Sequence, residues 1–154
     1  FPVLYRRYAL REGSGGAGTH RGGFGLDYEV ELRRGTAQAS FVMDHGRTGP
    51  QGALGGADGA PNEVTVWRAG VPMTPEHLSK AQDIPLAPGD RVRVKTPGGG
   101  GYGDPFARAP AAVARDVALG RYTIDQAETL FGVALAADGT VDAARTAARR
   151  NARR

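Results

Sequence analysis

Hydrophobic and polar positions in the first hundred residues alternate in short runs, each closed by glycine, proline or aspartate. In 1–11, Val3, Tyr5 and Tyr8 are set against Arg6, Arg7 and Arg11, the pattern of a strand with one solvated face. Residues 26–34 put Leu26, Tyr28, Val30 and Leu32 on one side and Asp27, Glu29, Glu31 and Arg33 on the other. The acidic row is expected to be the solvated side of that strand. Further strands are expected at 37–43, 63–68 and 91–95, with turns at Arg68-Ala69-Gly70-Val71 and Pro88-Gly89-Asp90. Past residue 105 the period lengthens. Val113 and Val117, and Ala114 and Ala118, recur at i,i+4 within 110–119, and Gly120 stands where a C-cap would. Thr123-Ile124-Asp125-Gln126 is a capping box opening a helix at 124–130, which Gly132 stops. Asp138-Gly139 is a turn, and 141–151, rich in alanine and arginine, is helical by propensity. The expected fold is α+β. A body of about five or six mostly antiparallel strands with long glycine-rich loops spans 1–105, and a short helical tail, 106–154, packs on it.

Glycine changes this picture. It supplies 24 of 154 residues, well over twice the usual ~7%, and it clusters. The segment Thr96-Pro97-Gly98-Gly99-Gly100-Gly101-Tyr102-Gly103-Asp104-Pro105 joins the last strand to the helical tail. Four consecutive residues without Cβ let another backbone or a ligand come very close, and the two prolines fence the segment. A flexible linker would be rich in serine and would not open from a β-branched strand, so an ordered, tight loop is expected. The loop at 44–59 is long enough to be functional or packed against something else. Gly13 to Gly18 match G-x-G-x-x-G, but further glycines and a strand follow where a dinucleotide fold needs a helix. Glu12 stands where a G-x-S-x-G elbow needs glycine, so Ser14 is expected to bond its own backbone.

The formal net charge is +4, and most of the excess is the tail's Arg145, Arg149, Arg150, Arg153 and Arg154. No aromatic–basic reader pattern accompanies it, so no nucleic-acid partner is expected. No apolar run approaches the ~20 residues of a membrane span. The absence of cysteine excludes disulfides and thiolate chemistry and suits the cytoplasm. His20, His45 and His77 are not at zinc spacing. Arg21 and Arg47 lie in glycine-rich loops whose amides can form an anion-holding nest. The first residue is Phe1, not Met, and the chain is expected to be a processed product or a piece of something longer.

Seven motifs then combine: Glu12-Gly-Ser-Gly-Gly-Ala-Gly-Thr-His-Arg-Gly-Gly23; Gly55-Gly56 with Gly59; Leu78-Ser79-Lys80; Gly89-Asp90; Thr96 to Pro105; Asp116-Val-Ala-Leu-Gly120; and Phe131-Gly-Val133. In this order they resemble the C-terminal part of the hydantoinase B/oxoprolinase family, of the N-methylhydantoinase B type. The resemblance covers nearly the whole chain. It implies a portion of a subunit of an ATP-dependent cyclic-amide hydrolase acting on a phosphorylated amide, with the rest of the B-type subunit and an A-type ATP-binding subunit as partners. A related ATP-dependent ketone carboxylase, or a non-catalytic assembly module, is the alternative. ATP and a divalent metal are expected elsewhere in the complex, since the family's metal-binding segment with its Asn-Asp-Pro is not in this sequence. The family's usual lysine near Thr19-His20 is also missing here. The candidate side chains are His20, Arg21, Lys80, Tyr102 and Asp104. Backbone at Gly15, Gly16, Gly18, Gly98, Gly99, Gly100 and Gly101 is expected to line or brace a cavity or a subunit contact.

Overall fold

The computed structural model describes residues 2–153. Phe1, at the head of the first alternating run, and Arg154, among the tail arginines, lie outside the described residues. Seven strands come in chain order: β1 (Val3–Leu10), β2 (Leu26–Leu32), β3 (Ala37–Val42), β4 (Glu63–Arg68), β5 (Val71–Met73), β6 (Lys80–Leu86) and β7 (Arg91–Lys95). A 3-10 turn at Pro105–Ala107 leads to α1 (Pro110–Ala118), α2 (Ile124–Phe131) and α3 (Ala143–Asn151). Five strands form an antiparallel sheet in the order β1-β2-β7-β4-β5, and β3 pairs with β6 separately. The α+β class is as the periodicity predicts, and β5 and β6, beyond the five strands placed from the sequence, bring the count to seven against the five or six expected.

The sheet's two faces divide by chemistry. Tyr28 and Val30 pair across to Val94 and Val92, which pair in turn with Val64 and Val66. Phe41 of β3 and Ile84 of β6 cover Val64, Val66 and Val94, making one buried core. The cover stops short of the β1 edge, where Tyr5 and Tyr8 remain 58% and 67% exposed on the same face.

The other face carries the acidic row, and it is not the solvated side. Asp27, Glu29 and Glu31 are 4%, 9% and 7% exposed. Arginines from both neighbouring strands lie over them: Arg7 and Arg93 on Asp27 at 2.7 and 2.6 Å, Arg91 on Glu29 at 3.0 Å, and Arg6 on Glu31. Long apolar stems screen the carboxylates while the guanidinium heads stay wet. Hydrogen bonds from Arg93 outweigh burial and, with Arg7, hold the Asp27 carboxyl below the usual range.

The glycine-rich stretches at 13–25, 49–60 and 96–104 pack against one another as extended backbone. Gly16 N donates to Gly99 O at 2.9 Å, Ala57 N to Ala17 O at 2.7 Å and Gly101 N to Ala57 O at 2.8 Å, so each segment bonds the other two. The contact is too close for side chains. A Cβ on Gly16 would sit 2.1 Å from Ala57 O, and one on Gly98 would sit 1.8 Å from Ser14 O. The three segments form a bundle whose interior is backbone, and amides and carbonyls of each segment are paired with those of the others.

The helical tail closes on this bundle. Ala17 of the first glycine segment joins Val113, Tyr122, Ala127, Phe131, Val133 and Leu135 in a second core. Tyr122, 2% exposed, donates to Gly15 O at 2.9 Å, and its ring lies edge-on to Phe24 and Phe131. The capping box forms as written in the sequence: Gln126 N donates to Thr123 Oγ1, and Thr123 N to Gln126 Oε1. Gly132 ends α2 with φ of 63°, in the left-handed region glycine favours. Among the described residues, no helix is long and apolar enough to cross a membrane.

Candidate functional site

The bundle fixes three of the five candidate side chains at one of its ends. His20 N donates to Tyr102 O at 3.0 Å and Tyr102 N to His20 O at 2.8 Å, a two-bond bridge between the first and third glycine segments. The side chains of this bridge stay outside: His20 is exposed, Tyr102 is 52% exposed, and their rings lie 6.2 Å apart. Thr19 Oγ1 donates to Asp104 O at 2.7 Å, so Asp104 is held beside them. An imidazole and a phenol presented side by side on rigid backbone can donate to and accept from a polar ligand. Asp104 has work of its own: Oδ1 accepts Phe106 N at 3.0 Å, capping the 3-10 turn, and meets Arg153 at 3.3 Å. Arg153 also lies over the Phe106 ring at 4.2 Å, and these groups line a pocket of about 430 Å3.

Arg21 turns the other way. Its Nε and Nη2 donate to Asp116 of α1 at 2.8 and 3.1 Å, its Nη1 to Gly22 O at 3.1 Å, and its plane lies 4.5 Å over Phe24. The anion it holds is part of the same chain. Asp116 is 4% exposed and also accepts Arg108 Nη2 at 2.9 Å. Burial alone would raise its pKa; Arg21, then Arg108, outweigh burial and hold the carboxyl below the usual range. Two of the sequence motifs, Thr19-His20-Arg21 and Asp116-Val117, thus meet through one ion pair. Gly89-Asp90 has a similar logic: the buried Asp90 carboxylate accepts Ala69 N and Ala87 N, each at 2.9 Å, and ties two turns together.

Lys80 is not part of this group. It opens β6, beside Asp44, His45, Arg47 and His77, around a pocket of about 230 Å3. Ser14 is 1% exposed, with Oγ donating to Arg11 O at 2.7 Å and accepting Gly25 N at 2.9 Å, a backbone brace as expected. Of the glycine positions, Gly15, Gly16, Gly18, Gly98 and Gly101 are buried within the bundle, and Gly99 and Gly100 are half-buried. Among the described residues no three His, Asp or Glu side chains converge as a metal site. Sequence reasoning did not pick out Arg108, Arg121 or Tyr122. The only advance signal was Asp116, a lone acid inside a helix otherwise built of proline, alanine, valine and arginine.

Known proteins share this sequence and fold. The family model described as hydantoinase B/oxoprolinase matches residues 1–105. The caprolactamase subunit beta of Pseudomonas jessenii is 39% identical over 99% of this chain, which corresponds to 26% of that protein. The crystal structure of the ATP-dependent caprolactamase from the same organism superposes with a TM-score of 0.81 at 34% identity, over 98% of this chain and 26% of that one. The 5-oxoprolinase of Saccharomyces cerevisiae is 37% identical over 67% of this chain and 8% of its own length. A nucleotide-free acetone carboxylase structure aligns with a TM-score of 0.74 at 24% identity, over 98% of this chain and 24% of that one, a likeness of fold. The chain therefore spans about a quarter of the caprolactamase subunit it matches.

Proposed function

The chain belongs to the hydantoinase B/oxoprolinase family, and from that premise we propose that it is the C-terminal portion of a subunit of a cytoplasmic, ATP-dependent cyclic-amide hydrolase. The observation that carries this is the 39% identity to a caprolactamase subunit, sustained over 99% of the chain, helical tail included. The partners are the remainder of a B-type subunit and an A-type ATP-binding subunit, which together supply ATP binding and the divalent metal.

The chemistry that such an assembly has to solve is general. An amide carbon is a poor electrophile, and its barrier has to fall by many kcal/mol. Phosphorylating the amide oxygen removes the resonance, so water adds at the ring carbon and the C–N bond opens with nitrogen leaving as the amine. The resulting acyl phosphate is then cleaved by a second water. In this scheme the glycine bundle is the rigid brace that sets one wall of the substrate cavity. His20 and Tyr102 are its polar anchors, held by the paired backbone bonds between their own residues. Arg21 and Asp104 serve by fixing that end of the bundle to α1 and to the 3-10 turn.

Reconstituting lactam-dependent ATP hydrolysis with and without this chain tests the proposal. Omitting the chain is expected to abolish turnover. His20→Ala and Tyr102→Ala are expected to lower it while far-ultraviolet circular dichroism and assembly stay unchanged. Turnover that does not depend on the chain would remove the enzymatic role.

A further inference from the structure

Arg21, Arg108, Arg115 and Arg121 line one pocket of about 290 Å3 together with Asp116. Four formal positive charges there face one negative charge. The negative charge is already engaged, because Asp116 accepts Arg21 Nε, Arg21 Nη2 and Arg108 Nη2 at 2.8, 3.1 and 2.9 Å. Arg121 Nη1 lies 3.8 Å from Asp116 Oδ1, beyond hydrogen-bond reach, and its side chain is 31% exposed. Arg115 sits exposed on α1. Arg108 is more deeply placed, 14% exposed, and its Nε is buried with no hydrogen-bond partner. Its Nη1 donates to Thr19 O at 3.1 Å and its Nη2 to Asp116, so Arg108 is held in place and brings charge to the pocket, while the donors of Arg115 and Arg121 are the ones left for an anion.

We propose that this pocket binds a phosphate-type oxyanion, with Arg115 and Arg121 donating from its rim and Arg108 adding charge from below. The chemistry favours that class. Planar guanidinium forks match tetrahedral oxyanions through two parallel bonds, and a dianion offsets the excess charge better than a carboxylate does. The donor set needs no lactam and no metal, so the site stands apart from the hydrolase reading. Its ligand is either free inorganic phosphate or the terminal phosphate of a monoester.

Calorimetric titration of the purified chain with inorganic phosphate and with phenyl phosphate, at ionic strength held constant with sodium chloride, tests the site. Saturable phosphate binding that chloride does not reproduce is expected. Arg115→Gln and Arg121→Gln are each expected to weaken it about tenfold or more, with the helical circular dichroism intact. Both substitutions leave the Arg21–Asp116 pair in place, and the exposed Arg115 gives a variant whose folding is not in question. Binding of inorganic phosphate alone would mark an enclosed ion site, and binding of both would mark an open terminal-phosphate site; either supports the proposal. Equal heats from phosphate and chloride would overturn it, as would unchanged affinity in the double variant.

Discussion

Arg21 and Asp116 are 95 residues apart in sequence and meet in a two-point ion pair with an almost fully buried carboxylate. Arg21 looked like an anion binder because it stands among glycines. It is one, but its anion comes from a helix whose place against the loop no local pattern states. The pair ties stability to pH with a definite sign. The folded pKa of Asp116 is below its unfolded value, near 3.9 for a free aspartate. Its contribution is therefore complete above that value and is lost as pH falls through the lower folded value. Asp116→Asn keeps the shape and removes the charge, leaving Arg21 and Arg108 without a counter-ion. It is expected to cost about 3 kcal/mol at neutral pH. It should also flatten the loss of stability on the acid side of the carboxylate range. Urea unfolding at neutral and acid pH checks both. A wild-type acid slope in the variant would mean that other carboxylates, such as Asp27 and its arginines, carry the dependence.

At the scale of elements, steric contact sets the glycine content. Gly16 and Gly23 lie in the same segment, yet a Cβ on Gly16 meets Ala57 O at 2.1 Å while one on Gly23 meets nothing within 4 Å. Gly16→Ala is expected to destabilise the chain by about 3 kcal/mol, the upper end of overpacking costs. Gly23→Ala should change stability by no more than about 0.5 kcal/mol. Thermal unfolding of the two variants gives the comparison, and equal shifts would show the bundle to be loose. An ordered loop between strand and helix was legible from the prolines and the β-branched approach at 91–95. That three such loops would make one another's walls was not, because glycine carries no side chain from which to infer a partner. The two unforeseen strands had a different cause. Pro72 and Pro85 spoil the strand pattern, but β5 is a sheet edge and β6 has a single partner, where a missing N–H is tolerated. The acidic row of β2 was misjudged because alternation sorts residues between two faces without saying which face long side chains from the neighbouring strands will cover.

On the scale of the whole molecule, two apolar cores share one backbone bundle. The sheet core contains Val64, Val66 and Val94, and the tail core contains Tyr122 and Phe131. The third glycine segment leaves β7 directly, and the first takes Tyr122's hydrogen bond at Gly15, so neither core is separable from the bundle. A body of strands followed by a run of helices could have been two independently stable units. The bundle argues for one, since melting the tail exposes Ala17 and unties Arg21, and freeing those loops removes the support behind β7. The expectation is a single cooperative transition. Trp67, the sole tryptophan, lies in β4 under the Arg91 guanidinium at 4.8 Å, so its fluorescence follows the sheet. Ellipticity at about 222 nm follows the helices of the tail. In urea the two signals should trace the same midpoint. Tyr122→Phe, which removes only the hydroxyl bond to Gly15, should lower that midpoint for both together by the equivalent of about 1 kcal/mol. If the substitution moved the helical signal and left Trp67 where it was, the bundle would be a hinge between two units instead of the piece that joins them.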